Sequence, residues 1–408
     1  MNHNGGAPQR IKIVNGRILT PYRLIPNGTV LITGRTITAV SDRNIDVDDA
    51  LELDAKGTYV APGFIDLHVH GGGNHDFMDG SEAAFLRIAE IHARYGTTAM
   101  VPTTLTSSLE NLLNTLAIYE KANRVNTSGA RFLGMHLEGP YFALSQRGAQ
   151  DPRYIRDPDS AEYEEVLRRS ASVVRWSAAP ELKGALTFGR YLRSKGILAA
   201  VAHTDAVYEE VLAAFENGYS LATHLYSCMS GVSRRNGFRY AGVVESAYLL
   251  DEMDVELIAD GVHLPPPLLK LAYKIKGPDR TALITDAIRA AGMPPGKSIL
   301  GSIHDGIEVI VEDGVAKLPD RQAFAGSVAT TDRLVRTMVT MADIPLLDAV
   351  RMMSSTPARI MGVSDKKGAL VPGKDADIVF FNDAISVQLT MVEGRVVFQQ
   401  EPAPAFSE

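Results

Sequence analysis

Apolar and polar positions alternate in two different ways along this chain, and the change divides it into three segments. Near the N-terminus the apolar residues form short runs separated by turn signals, at 11–14, 18–19, 29–33 and 51–53. Such runs predict β-strands, with a turn at Asn15-Gly16. The C-terminal segment repeats the pattern, since 389–396 resembles 11–18 and follows another apolar run at 378–381. Neither end alone offers enough strands to bury a face, so both are predicted to share one small β-sandwich domain.

In the middle of the chain, apolar strand-like runs alternate with amphipathic helical stretches. The strand-like runs are 63–70, 97–104, 132–138, 173–179, 197–203, 220–224, 255–260 and 281–286. Helical periodicity is found at 83–94, 109–121, 186–195, 208–217 and 266–274. This alternation is typical of βαβ units, and eight units predict a closed (β/α)8 TIM barrel. We place the barrel at 62–357 and the β-sandwich domain at 1–61 and 358–408.

Composition narrows the classes of function. The apolar fraction of 45% and the charged fraction of 22% are ordinary for a globular protein. A formal net charge of −7 disfavours a nucleic-acid surface but permits a small cationic pocket for an anionic substrate. The single cysteine, Cys228, excludes an intrachain disulfide. The first ten residues contain no apolar stretch of the signal-peptide type and no run reaches spanning length, so we expect a cytoplasmic protein without a membrane partner.

Polar side chains stand at the C-terminal ends of the predicted barrel strands, where active sites of such barrels are built. They are His68 and His70 in the first run, Glu138 in the third, His203 in the fifth, His224 in the sixth and Asp286 in the eighth. On a strand, His68 and His70 project from the same face and can bind one ion. Imidazole and carboxylate ligands suit zinc or iron. An isolated strand-end histidine is more often structural, and it is the alignment of five candidates that predicts a metal centre.

Asp286 closes an apolar run in which an unpaired carboxylate would be costly to bury. Water activated by a metal ion would give it a partner, because a carboxylate can take a proton from that water and later deliver it to a leaving group. The alternative is a structural aspartate that caps the following helix.

The segment PGFIDLHVHG at 62–71 resembles the first-strand motif of the amidohydrolase superfamily. Within it, the segments HLEGP at 136–140, THLY at 223–226, ADGVH at 259–263 and ITDA at 284–287 are similar to the N-acetylglucosamine-6-phosphate deacetylase family. The similarity runs from about residue 16 to about residue 397. The resemblance implies hydrolysis of the acetamide of a phosphorylated amino sugar, with release of acetate.

The resemblance also implies roles for single residues. Glu138, His203 and His224 would hold the main metal, and Asp286 would act as general base and then as general acid. His263 would contact the substrate near its acetamido group, although a helix-entry histidine before Pro265 is the alternative. Members that keep the pair matching His68 and His70 hold a second ion, so one or two divalent ions are expected per subunit, with zinc or iron as the candidates.

Phosphate recognition in the family uses backbone N–H groups and an arginine after the sixth strand. Here these positions are Ser227, Cys228 and Arg235, with Ser227 replacing the usual asparagine. Arg234 could reach the site of a partner subunit, which implies a homodimer. The alternative is that Arg234 and Arg235 form a solvated loop pair.

Twelve residues after Glu138, where many family members have a histidine that touches the sugar, this chain has Gln150. An amide can still bond to a hydroxyl, so the preference among sugar epimers is expected to change, with the galactosamine 6-phosphate derivative as the nearest variant. Two further alternatives stay open. One is an amidohydrolase acting on a cyclic amide or an N-acyl amino acid, and the other is a catalytically inactive barrel that serves as a binding protein.

Overall fold

Two sheets organise the chain, one from its two ends and one from its middle. The structure is a computed structural model that describes residues 9–400. Residues 1–8 and 401–408, with which the predicted β-sandwich domain begins and ends, lie outside the described residues. The division of the chain at 61/62 and 357/358 stays a prediction.

Strands from both ends form the terminal sheet. They are β1 (Arg10–Leu19), β2 (Leu24–Thr33), β3 (Thr36–Ser41), β4 (Ala50–Asp54), β5 (Tyr59–Pro62), β22 (Ile378–Phe381), β23 (Val387–Val392) and β24 (Arg395–Gln399). The strand order is β24-β23-β22-β5-β1-β2-β3, with β4 beside β1, so the antiparallel pairing of β22 with β5 joins the two ends. Ile13 and Ile32 from the N-terminal strands pack with Ile378 and Met391 in one buried cluster. The prediction that both ends share one β unit is confirmed.

The turn predicted at Asn15-Gly16 is wrong, because β1 continues through it as a bulge. Asn15 has a φ of 54°, and the register with β2 shifts on both sides of Gly16. On its other edge, β1 pairs with β4 before this point and with β5 after it. The strand therefore bends where it changes partner. A Cβ on Gly16 would lie 2.5 Å from the Val60 side chain, so only glycine allows this close approach.

Parallel strands from the middle of the chain form the barrel. They are β6 (Phe64–Val69), β9 (Thr97–Thr104), β11 (Met135–Glu138), β12 (Val173–Ala178), β13 (Leu198–Val201), β14 (Tyr219–Ala222), β17 (Asp254–Ile258) and β18 (Thr281–Ile284), with the short β10 (Arg131–Phe132) beside β9. The ring closes between the first and last strands, where the Asp286 N–H donates to the His68 carbonyl at 2.9 Å. The predicted (β/α)8 barrel is confirmed, and each of its strands lies within or beside a predicted run.

Helices lie between the barrel strands and after the last of them. They are α1 (Glu82–Ala93), α2 (Leu109–Val125), α3 (Ser160–Arg169), α4 (Ala185–Ser194), α5 (Tyr208–Glu216), α6 (Val243–Leu249), α7 (Pro266–Arg280), α8 (Thr331–Thr340), α9 (Leu346–Met352) and α10 (Ser355–Ile360). Helices α3, α6, α8, α9 and α10 were not predicted, and α3 is a short helix that buries only Tyr163 and Val166. None of the described helices is long and apolar enough to cross a membrane.

A small antiparallel sheet interrupts the barrel pattern after its last strand. It consists of β19 (Gly296–Leu300), β20 (Ile307–Glu312) and β21 (Val315–Lys317). Leu300 and Val309 pack with Ile288 and Leu105 in one cluster, which places the sheet over one side of the barrel mouth. The sequence did not predict this insertion, since its strands are short and half exposed. Two further strand pairs lie in loops, β7 (Gly71–Gly72) with β8 (His75–Asp76) and β15 (Ser233–Arg235) with β16 (Phe238–Tyr240).

A buried ion pair spans the barrel interior. Arg175 on β12 and Glu256 on β17 are both fully buried, and Arg175 Nη2 lies 2.8 Å from Glu256 Oε2. The same nitrogen donates to Thr223 Oγ1 at 2.9 Å. Burial alone would raise the pKa of Glu256, but the Arg175 guanidinium lowers that pKa to about 2. Each charge is therefore stable in the interior because the other is present.

We expect Arg175→Met to lower the free energy of unfolding by about 3–5 kcal/mol, because the substitution leaves Glu256 buried without its counter-charge. Urea unfolding measures the loss, and Arg175→Met/Glu256→Leu should recover much of it. The contribution of the pair is fully present above the ordinary carboxyl pKa of 4.5 and is lost as the pH falls through about 2. An Arg175→Met variant as stable as the parent at neutral pH would show that the Arg175–Glu256 pair is not required for stability.

Candidate active site

The predicted site residues stand at or just beyond the ends of their strands. His68 lies in β6 and Glu138 ends β11, whereas His203, His224 and Asp286 each come two residues after the strand. These last three residues have φ values of 46°, 32° and 49°. Left-handed backbone at non-glycine residues is strained and is concentrated at functional sites. The strands β13, β14 and β18 thus end before their polar residues.

The Glu138 carboxylate is the centre of this cluster. Its Oε1 lies 3.0 Å from His224 Nε2, 3.3 Å from His203 Nε2 and 3.4 Å from His68 Nε2. Its Oε2 lies 3.4 Å from His70 Nε2. All five side chains are buried. One carboxylate therefore faces four imidazole rings from three strand ends, those of β6, β13 and β14.

Asp286 lies on the His68 and His70 side of the cluster. Its Oδ1 is 3.1 Å from His70 Nε2 and 3.4 Å from His68 Nε2, and these two ring nitrogens are 3.2 Å apart. Two groups can each surround one ion, His68 with His70 and Glu138, and Glu138 with His203 and His224. Glu138 belongs to both groups, so two ions held here would share it.

The charges in the cluster fit a bound cation. Burial alone would raise the pKa of Glu138 and of Asp286, yet the neighbouring imidazoles lower both pKa values. Burial would lower the pKa of His68, but Glu138 and Asp286 raise that pKa to about 10. The two buried carboxylates thus require positive charge. A divalent metal ion supplies that charge and leaves the imidazoles neutral, the form in which they bind metals.

A cavity of about 300 Å³ opens over the cluster. The predicted site residues that line it are His70, Glu138, Gln150, His203, His224, Ser227, Cys228, His263 and Asp286. His68 lies fully buried behind His70. The structure thus brings together candidate metal ligands, the candidate proton carrier and four of the residues predicted to contact substrate.

Arg234 and Arg235 lie elsewhere in the same subunit. They belong to the β15–β16 hairpin, where both are exposed, and neither lines the cavity. The Arg235 guanidinium lies 5.3 Å from the centre of the Tyr240 ring. Of the two amides predicted to bind phosphate, that of Ser227 donates to the His224 carbonyl at 2.9 Å and so helps to form the turn after β14.

Sequence reasoning missed two carboxylates that hold site residues. Asp66 accepts hydrogen bonds from Thr285 Oγ1 at 2.5 Å and from the His68 N–H at 3.3 Å, and so links the first barrel strand to the last. Burial raises the pKa of Asp66 to about 7. Asp260 accepts a hydrogen bond from His263 Nδ1 at 2.7 Å. Both were detectable, because Asp66 shares a strand face with His68 and Asp260 ends a predicted run.

We expect a divalent ion to stabilise the chelator-stripped protein, because binding to the folded chain alone adds about 4 kcal/mol at a free concentration 1,000 times the dissociation constant. Thermal unfolding with and without zinc measures the effect. The variant His203→Asn/His224→Asn should lose most of the shift, whereas His304→Asn, at an exposed histidine, should keep it. If zinc, iron and other divalent ions leave the melting temperature of the parent protein unchanged, the metal centre is refuted.

Comparison with known proteins gives consistent results at the levels of family, sequence and structure. The Amidohydrolase family matches residues 59–397. An N-acetylglucosamine-6-phosphate deacetylase from Vibrio furnissii is 36% identical over 344 residues, which cover 84% of each chain. An N-acetylgalactosamine-6-phosphate deacetylase from Escherichia coli O157:H7 is 33% identical over 382 residues, 93% of this chain and 97% of that protein.

Among solved structures, an N-acetyl-D-glucosamine-6-phosphate deacetylase mutant from Mycobacterium smegmatis, in complex with N-acetyl-D-glucosamine-6-phosphate, superposes with a TM-score of 0.88 at 31% identity. The match covers 95% of this chain and 99% of that one. An enamidase matches with a TM-score of 0.61 at 15% identity, a likeness of fold alone. Since the family match covers most of the chain and relatives above 30% identity share most of its length, this chain belongs to the amidohydrolase family.

Proposed function

We propose that this chain is a metal-dependent deacetylase that hydrolyses the acetamide of N-acetylglucosamine 6-phosphate to glucosamine 6-phosphate and acetate. The observation that carries the proposal is the convergence of Glu138, four imidazoles and Asp286 on a cavity large enough for a small ligand. Relatives at 36% and 32% identity bear the name of this activity. The mycobacterial relative was solved with this sugar phosphate.

Glu138, His203 and His224 would hold the main ion, and His68 and His70 would hold a second ion with Glu138 as the shared ligand. When bound, such an ion polarises a carbonyl oxygen and lowers the pKa of water. Nitrogen and carboxylate donors suit zinc or iron, so these are the metals we propose.

Asp286 would carry the proton. Burial would raise its pKa, but His68 and His70 lower it below the ordinary value, so the carboxylate is ionised at neutral pH. It can therefore accept a proton from the attacking water and deliver it to the departing amine. The water oxygen joins the acyl carbon, the C–N bond breaks, and the proton completes the amine.

His263 would position the acetamido group. Its Nδ1–H donates to Asp260, which leaves Nε2 as the ring nitrogen free to meet a substrate in the cavity that His263 lines. The Asp260 carboxylate is held in turn by the backbone N–H groups of Val262 and His263, at 2.9 and 2.8 Å. The ring orientation is thus set before substrate binds.

Phosphate binding would need a second subunit. No lysine or arginine lines the cavity within the described part of the chain, although a phosphate group is best bound by a charged donor. Arg234 and Arg235 stand on a hairpin that also exposes Val232 (61%) and Phe238 (72%). Exposed apolar side chains of this size favour an interface. In a homodimer whose hairpin reaches the partner's cavity, the interface would cover the exposed apolar side chains, and Arg234 or Arg235 would provide the positive charge for the phosphate.

The galactosamine epimer is the second candidate substrate. The relative named N-acetylgalactosamine-6-phosphate deacetylase matches 93% of this chain at 33% identity. Gln150 and Ser227, the positions that depart from the usual family pattern, both line the cavity. These two departures from the family pattern are the reason to keep the galactosamine epimer as a candidate substrate.

Acetate release from a small panel of N-acetylated sugars tests the function. We expect release from N-acetylglucosamine 6-phosphate by metal-loaded protein and little release from unphosphorylated N-acetylglucosamine, because phosphate contacts contribute to binding. A higher kcat/KM for N-acetylgalactosamine 6-phosphate would favour the second candidate. Equal rates with and without phosphate would contradict the phosphate site, and no release from any of these sugars would contradict the function.

Asp286→Asn should keep its metal but lose turnover by about 10²–10⁴-fold, because an amide cannot take up the proton. Metal analysis and kcat on the same preparation separate the two properties. Asp320→Asn, at an exposed loop aspartate, serves as the matched control and should be fully active. An Asp286→Asn variant with parental turnover would refute the assigned role.

A further inference from the structure

One buried amide lies against the central carboxylate. The Gln150 side chain is only 5% exposed, and its Nε2 donates to Glu138 Oε2 at 2.7 Å. Its Oε1 accepts a hydrogen bond from the Thr106 N–H at 2.8 Å. Both ends of the amide are therefore hydrogen-bonded to protein groups. This leaves the amide with little free hydrogen-bonding capacity for a sugar hydroxyl.

The orientation of this amide is determined by its partners. A backbone N–H can only donate and an ionised carboxylate can only accept. Exchange of the amide oxygen and nitrogen would set two donors against each other at Thr106 and two acceptors at Glu138. The N–H of Gln150 must therefore face Glu138.

The two oxygens of Glu138 have different surroundings. Oε1 has three imidazole nitrogens within 3.4 Å, those of His68, His203 and His224. Oε2 has Gln150 at 2.7 Å and His70 at 3.4 Å. The amide thus prevents the carboxylate from rotating about its last bond, and keeps Oε2 on the His70 side. Because the donor is neutral, Glu138 keeps its full charge for a cation.

The backbone that carries the two hydrogen-bond partners of Gln150 is tightly packed. Thr106 follows β9 and Glu138 ends the neighbouring strand β11. A Cβ on Gly139 would lie 2.4 Å from Thr106 Oγ1, so the two loops approach closely at this point. The two partners of Gln150 are therefore held at the mouth of the barrel, while Gln150 itself lies in the loop between β11 and α3.

We propose that Gln150 is a positioning residue that orients Glu138 as the shared ligand and thereby sets the affinity for the ion held by His68 and His70. The inference rests on the metal ligands proposed above. It replaces the sugar contact expected at this position with a role in metal binding. Hydrogen-bond partners of a ligating carboxylate typically change metal affinity by about 10–100-fold.

Gln150→Met tests the proposal, because methionine has a similar length but can make neither hydrogen bond. Chelator-stripped protein is titrated with zinc and both dissociation constants are measured by calorimetry or by competition with a chromogenic chelator. The variant His68→Asn/His70→Asn identifies the binding step that belongs to this ion. We expect that step to weaken by about 10–100-fold in Gln150→Met, with KM unchanged when zinc is saturating.

Asn126→Leu is the matched control. Asn126 is also a buried amide, 1% exposed, and it donates to the Ala130 carbonyl at 2.8 Å, at the end of α2. Its replacement costs a buried hydrogen bond without touching the cluster, so both zinc affinities should stay at the parental values.

Parental zinc affinity in Gln150→Met, together with a raised KM, would overturn the inference and favour a sugar contact. Equal weakening in Asn126→Leu would also overturn it, since the effect would then come from general loosening. A parent protein that binds one ion normally but never a second would overturn it while leaving the deacetylase function intact. A parent protein that binds no divalent ion would overturn the proposed function as well.

Discussion

The rest of the structure depends on one constraint: the negative charge of the buried Glu138 carboxylate must be balanced by nearby positive charge or by hydrogen-bond donors. A charge in the interior is stable only with partners of opposite charge or with strong donors, and Glu138 has four imidazoles within 3.4 Å. Those imidazoles come from the ends of β6, β13 and β14, so the barrel must close for them to meet. The left-handed backbone at His203 and His224 is the local cost of aiming the rings at one point.

A second polar layer supports the first. Inside the barrel, Arg175 and Glu256 compensate each other, and Asp66 joins the first strand to Thr285 beside Asp286. An apolar interior would fill the same volume, but it would not hold the strands in fixed register beneath the cluster. The stability of the barrel and the geometry of the site therefore rest on the same pairs, and a substitution in this layer is expected to affect both.

Residues on different walls of the cavity have different roles. Gln150, bonded to Thr106, orients the central carboxylate from one wall, and His263, held by Asp260, presents a fixed imidazole to the substrate from another. The inserted sheet covers a third side through Leu300. The remaining requirement, positive charge for a phosphate, is met by no lining residue of the described chain, which is the physical reason to propose that a second subunit completes the site.

Local pattern was sufficient for the barrel and for the candidate ligands, because alternation of apolar runs and the spacing of His68 and His70 are properties of neighbouring residues. The same reasoning failed at Asn15-Gly16, where a change of partner strand turned an expected turn into a bulge. It also left open whether Arg235 lies in the cavity or in a solvated loop, and it could not find Thr106 as a partner of Gln150, because the two residues are 44 positions apart in the chain. By itself the sequence determined which chemistry is available. Only the tertiary structure decided which side chains share a charge, because Coulomb and hydrogen-bond energies depend on distances that folding alone creates.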